Sequence, residues 1–331
     1  MKLKALAVAA VALVGTGLGA VPAHAESTWH ATLLPLPAGG GEDTYGFLVG
    51  TDGHGGYAGE YLVGDTSQVV TWTDGRPTVR GVPAGYEWAG VTDENSSGTV
   101  LGNAVDYDTG LSRGFLLDGN GFHLLPVAPG YVSTDAVALN DRGDVLTYLV
   151  SSDQNKTVGA LWPAFGSGPA TIPTTGEWAR VVDVDQDGTV LTGDALWRNG
   201  VLTPLKAPAG LTSPSGDAIR NGVVVGSCLT ATSPNKAVRW ATPDRPEVLP
   251  DGDEATDLNG AGLIGGQLPN QAIPNAGAPY LWQDSTPIGK LPLPDGFDRG
   301  DVKAIGDDGT VVGVVSSRSL DEGGAPVIWQ R

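Results

Sequence analysis

Short runs of Val, Leu and Ile alternate with small polar turns along almost the whole chain, and no stretch sustains a 3.6-residue apolar period. Two kinds of hairpin recur. In the first, two strands flank a turn rich in Asn, Asp and Gly: AVALNDRGDVLTYL, RVVDVDQDGTVLTG, GDAIRNGVVVGSC, ATDLNGAGLIGGQ and VKAIGDDGTVVGVV. GVTDENSSGTVLGNA is the same hairpin with one extra turn residue, and TYGFLVGTDGHGGYAGEYLVG is a looser copy. In the second, an apolar strand ends near Trp, turns, and returns as a strand that leaves through proline, as in VVTWTDGRPTVRGVPAG, ALWRNGVLTPLKAPAG and YLWQDSTPIGKLPLPDG. Fifty glycines and 24 prolines fit many turns and exclude long helices.

The two hairpins alternate, so one repeat is four strands, A to D, with the Asn/Asp-Gly turn between A and B and the Trp on C. The anchors are Trp72, Leu117, Trp162, Trp197, Trp240, Trp282 and Trp329, spaced by 45, 45, 35, 43, 42 and 47 residues. A four-stranded unit of this length cannot bury both of its faces alone, and radial stacking solves that problem. The expected fold is therefore all-β, a seven-bladed β-propeller of four-stranded blades. The last repeat, RGDVKAIGDDGTVVGVV through PVIWQR, stops after strand C, and TWHATLLPLPAGG near the start reads as a lone strand D. Pairing the two fragments closes the ring and removes two open edges.

The first residues read as a processing signal. Lys2 and Lys4 precede an apolar run from Ala5 to Val21, and Ala23-His24-Ala25 offers a cleavage site. Residues 1–25 are expected to be a cleaved signal peptide and 26–331 a single propeller domain, secreted, extracellular and monomeric. Removing two lysines takes the formal charge from −18 to −20. That excess of carboxylates repels phosphates, so neither nucleic acid nor an anionic membrane surface is expected as a partner. The single cysteine, Cys228, cannot form an intramolecular disulfide and reads as a buried strand residue.

The pairing of FLL or LW, a turn and Leu-x-x-Pro with LNDRGDVL or IGDDGTVVG resembles the extracellular HAF-type repeat, over nearly the whole mature chain. Asn140 and Asn259 keep the Asn of that repeat's Ile-Asn-x-x-Gly turn, while Asp185, Arg220 and Gly306 replace it. The resemblance implies an exported repeat protein and brings no catalytic residues with it.

Candidate chemistry is sparse. His30 and His123 fall on outer strands of different repeats and His54 in an A–B turn, so no metal triad or Ser-His-Asp set follows from spacing. The D–A connections are more suggestive, being rich in acids and aromatics. Tyr86, Glu87, Trp88, Tyr131, Asp135, Glu177, Trp178, Asp253, Asp298 and Asp301 would gather flat rings and carboxylates on one face, which suits a glycan or a cationic peptide or protein. A second candidate is DVDQDG. Asp183, Asp185 and Asp187 stand at positions 1, 3 and 5 of a calcium-loop pattern with Gly188 at 6, resembling a dockerin or EF-hand-like loop. Leu191 stands at position 9, however, and a second hairpin follows where a helix should start. DVDQDGTVL also occupies the same slot as LNDRGDVL, so an A–B turn is the leading reading and calcium the secondary one; no other cofactor is expected. The expected function is a secreted binding or interaction module. The alternatives are a propeller hydrolase or lyase using carboxylates at the channel mouth, or a structural exoprotein without a small ligand.

Overall fold

The computed structural model describes residues 28–39, 44–64, 66–153, 156–164, 168–173, 180–231, 235–269, 277–317 and 324–331. The proposed signal peptide lies outside these residues. Among the described residues the chain forms strands and turns without a helix, so none is long and apolar enough to cross a membrane. The strands assemble into four-stranded antiparallel sheets in the order A-B-C-D. Two consecutive sheets are joined into one of eight strands by a single parallel pair, Thr134 with Arg113. We number the four-stranded units one to seven from Thr44. Their first strands are Thr44–Thr51, Trp88–Glu94, Tyr131–Leu139, Asp183–Val184, Thr212–Arg220, Glu254–Leu258 and Arg299–Ile305. Unit seven takes its fourth strand from the other end of the chain, where His30–Leu33 pairs antiparallel with Ala325–Gln330, Ala31 opposite Trp329.

The A–B turns follow from local chemistry. In units two, three, four, six and seven the carbonyl of the first turn residue accepts the N–H three residues on, at a glycine: Gly98, Gly143, Gly188, Gly262 and Gly309. Each of these glycines has φ between +72° and +85°, the left-handed conformation that completes a type I turn with a bulge. Unit five instead uses a two-residue turn, Asn221-Gly222, with φ of 53° and 77°. Strand A also carries a bulge, between Ala255 and Asp257 in unit six for example, which pushes a carbonyl toward strand B. A Cβ on Gly266 would sit 2.1 Å from the Glu254 carbonyl oxygen, and Gly59, Gly102, Gly226 and Gly313 are crowded in the same way.

The core lies between units rather than inside them. Ala218, Val225 and Leu249 of unit five pack with Ala255, Ile264 and Trp282 of unit six. Val312 and Ile328 of unit seven and Leu34, which follows its N-terminal strand, pack with Leu48, Val70 and Trp72 of unit one in the same manner. The Trp that marks the repeat sits at these seams. Trp240, Trp282 and Trp329 donate their indole N–H to the carbonyls of Lys206, Pro250 and Pro292, just beyond strand D of the preceding unit, at 2.7–2.9 Å. Trp72 of unit one makes the same bond to Pro35, beyond the N-terminal strand, at 2.8 Å. A buried indole needs such a partner, so the proline exit and the Trp are two halves of one contact. Cys228 is buried in this core, and burial pushes its thiol up to about 11.

Candidate functional site

Aligned on the bulge, and in unit four on the turn that follows, the first strands place one residue of each unit at the same position: Gly50, Asp93, Ala138, Asp183, Ala218, Asp257 and Ala304. Aspartate occupies units two, four and six and a small residue the others. Asp93 accepts the N–H of Glu94 and that of Leu139 in unit three, at 2.8 and 2.7 Å. Asp183 accepts from Val184 and from Ile219 in unit five, both at 2.7 Å. Asp257 accepts from Leu258 and, at 2.6 Å, from Ile305 in unit seven. Each carboxylate thus stitches its own strand A to the next one. Burial pushes these carboxyls up, helped by their mutual repulsion at Asp93 and Asp257 and by Asp185 at Asp183, to about 8 for Asp93, 6 for Asp183 and 7 for Asp257.

The A–B turns above them are linked as well. Asn95, Asn140 and Asn259 cap their own turns through Oδ1 and donate Nδ2 to the carbonyls of Asn140, Asp185 and Gly306, the corresponding residues of the following units. One residue further on, Ser96 N–H donates to Asp141 and Gly260 N–H to Asp307. Asp185 serves the same belt: its carboxylate accepts the N–H groups of Gln186, Asn221 and Gly222. Asp187 accepts from Thr189 and pairs with Arg198 at 2.7 Å. The DVDQDG carboxylates therefore point to three different sets of partners. Among the described residues no group of three His, Cys, Asp or Glu side chains converges closely enough to hold a metal ion. DVDQDG forms the A–B hairpin turn of unit four, the leading sequence reading, and backbone N–H groups donate to the carboxylates of Asp183 and Asp185.

A cavity of about 600 Å³ opens at the A–B turns, lined by the ends of strand A or the turn of every unit. Eight carboxylates face it, from Asp52, Asp93, Glu94, Asp141, Asp183, Asp257, Asp307 and Asp308, against one guanidinium, Arg220, and the His54 ring. Glu94 differs from the others: one of its carboxylate oxygens is buried with no hydrogen-bond partner, and burial followed by repulsion from Asp52 and Asp93 pushes it up to about 8. Such a cavity favours a positively charged group.

This mouth is the opposite one from the D–A connections. There, Tyr86 packs into the cluster of Val69, Ala89 and Phe115, and Tyr131 against Ala128, Leu149 and Ala160. The Trp88 ring lies close to the Gly90 backbone, and Glu87 is exposed and accepts the Tyr107 N–H. Asp135 accepts the Ser112 and Ser133 hydroxyls, and Asp301 the Gln267 amide. Asp253 is held up by burial, and Asp298 lies 3.9 Å from Arg299. Glu177 and Trp178 lie outside the described residues. Of the candidates among the described residues, only Asp183 reaches the cavity. The sequence does carry a signal for its neighbours: TDEN, VDVD and TDLN each put Asp two residues before the turn.

No protein-family model and no curated protein matches the chain. Solved structures do. The chain is similar to an oligogalacturonate lyase solved in complex with manganese, over 92% of this chain and 94% of that one, at 12% identity and a TM-score of 0.58. It is similar to the β-propeller domain of the Trilobed protease from Pyrococcus furiosus, described as having an open velcro topology, over 87% and 95%, at 13% identity and 0.56. Against a prolyl endopeptidase it covers 86% of its own length but only 50% of that chain, at 12% identity and 0.54. Identities this low carry the fold alone. The chain is an all-β, propeller-like protein.

Proposed function

We propose that this chain is a seven-bladed propeller with HAF-type repeats, closed into a ring by its N-terminal strand. It acts outside the cell, as a monomer, to bind a cationic segment of a peptide or protein at the A–B mouth. The cavity carries this reading: eight carboxyl groups from six of the seven units face one guanidinium, from the remaining unit, that is already paired. Ring closure is supported by the Trp72 bond to Pro35, which repeats the bond made between consecutive units. The glycan reading is weaker because Tyr86 and Tyr131 pack into core clusters instead of offering free ring faces. An acidic sugar of the oligogalacturonate type would be repelled by this cavity, and so would nucleic acid or an anionic membrane. A hydrolase or lyase reading is also weaker, since Asp93, Asp183 and Asp257 already accept two backbone N–H groups each.

The test is calorimetric titration of a hexa-arginine peptide into the protein at physiological salt. Replacing Asp52→Asn with Asp308→Asn should weaken binding about tenfold or more, an order expected for losing two charges near a bound cation. Replacing Glu87→Gln with Asp298→Asn, at the other mouth, should leave it unchanged. Equal loss from both pairs, or no binding by the unmodified protein, rejects the cavity as the site.

A further inference from the structure

Arg220 stands at a slot that a turn-capping Asn holds in three other units. Asn95, Asn140 and Asn259 fill that slot in units two, three and six and turn sideways into the next unit. Unit five is closed by the shorter Asn221-Gly222 turn, which needs no such cap, so the slot is free for a long side chain. Arg220 crosses the cavity mouth. Its Nη2 lies 3.0 Å from Asp141 Oδ2 in unit three and 2.6 Å from Asp307 Oδ2 in unit seven, two units that do not adjoin unit five.

Both partners are held in place for it. Asp141 uses Oδ1 to accept the Ser96 N–H, and Asp307 uses Oδ1 to accept the Gly260 N–H, which leaves one oxygen of each facing Arg220. Arg220 also lines a second, smaller cavity of about 180 Å³ between units five and six, with Arg239, Asn259, Gly262 and Asp284. The Arg220 side chain is 23% exposed, so solvent reaches it from outside.

We propose that Arg220 is a built-in competitor that decides what the cavity accepts: a ligand bearing a guanidinium group, which replaces Arg220 between Asp141 and Asp307 as it enters. The inference rests on the cavity's being a cation site and narrows its ligand class. The terminal Nη2 of a guanidinium carries two N–H donors fixed in one plane, one for each carboxylate, on a weakly hydrated group, whereas an ammonium is a compact, more strongly hydrated charge. The ligand therefore makes in trans the contacts that Arg220 makes in cis, and resting affinity is held down by the need to displace it.

The test measures binding of n-butylguanidinium and n-butylammonium to the full protein, to Arg220→Ala and to Arg220→Gln, by ligand-observed NMR at physiological salt. Thermal melts establish that each variant is folded, and Arg220→Gln, which keeps length and loses charge, serves if Arg220→Ala does not fold. We expect both variants to bind butylguanidinium about tenfold or more tightly than the unmodified protein, and to prefer it over butylammonium. Binding by the variants alone supports the competitor role equally. If the unmodified protein binds and the variants bind no more tightly, Arg220 is no competitor and the cation site stands without it. Equal affinity for the two cations overturns the guanidinium assignment. If no protein binds either cation, the cavity reading falls, and this inference with it.

Discussion

Asp93, Asp183 and Asp257 show how little a carboxylate's presence says until its partners are known. All three sit two residues before a turn, and each ties two inner strands together through backbone N–H groups. Their folded-state values of about 8, 6 and 7 lie above the unfolded value near 4. The stability they contribute is thus complete below about pH 4 and is lost as pH rises through the 6–8 window. The melting temperature should fall between pH 5 and pH 9. Asp93→Asn, which cannot ionise but loses an acceptor, should be less stable than the unmodified protein at pH 5 and approach it by pH 9. A constant difference between the two melting curves across that range contradicts the account.

At the scale of the element, the recurring geometry of the hairpins comes from pairs of residues that are distant in sequence. The Trp of strand C and the carbonyl past the preceding strand D lie 32 to 37 residues apart and meet at every seam where the bond forms. Two tryptophans differ: Trp162 donates to the Thr147 hydroxyl of its own unit at 2.9 Å, and Trp197 is 7% exposed with an indole N–H that finds no partner among the described residues. Trp282→Phe should therefore cost about 1 kcal/mol more than Trp197→Phe, the net worth of one buried hydrogen bond, in urea unfolding. Equal losses at the two positions would show that packing alone accounts for the tryptophans.

Across the whole molecule the two ends of the chain share one sheet. His30 and Gln330 are opposite one another in that pairing and both are exposed. A disulfide between cysteines at these positions would close almost the entire chain into a loop. Opposed residues of an antiparallel pair lie at a separation a disulfide tolerates, and buried Cys228 is out of reach of the new thiols. His30→Cys with Gln330→Cys should oxidise in the folded state and raise the melting temperature by about 5 °C or more, reversibly on reduction. Failure of the folded protein to form this bond would count against a ring closed by the N-terminal strand.

The repeat, the four-strand order, the Trp on strand C and the lone first strand were all legible along the chain, because turn residues and apolar alternation are local and recur in register. The A–B identity of DVDQDG was legible for the same reason, from its alignment with LNDRGDVL. The cavity was not. Asp93, Asp183 and Asp257 stand 74 to 164 residues apart, and Arg220 reaches Asp141 and Asp307 across the mouth. The D–A connections are rich in acids, yet composition does not say which carboxylates face a common space and which hold up a neighbouring backbone. That distinction depends on how the units are arranged about the cavity, a relation between distant segments that only the tertiary structure decides.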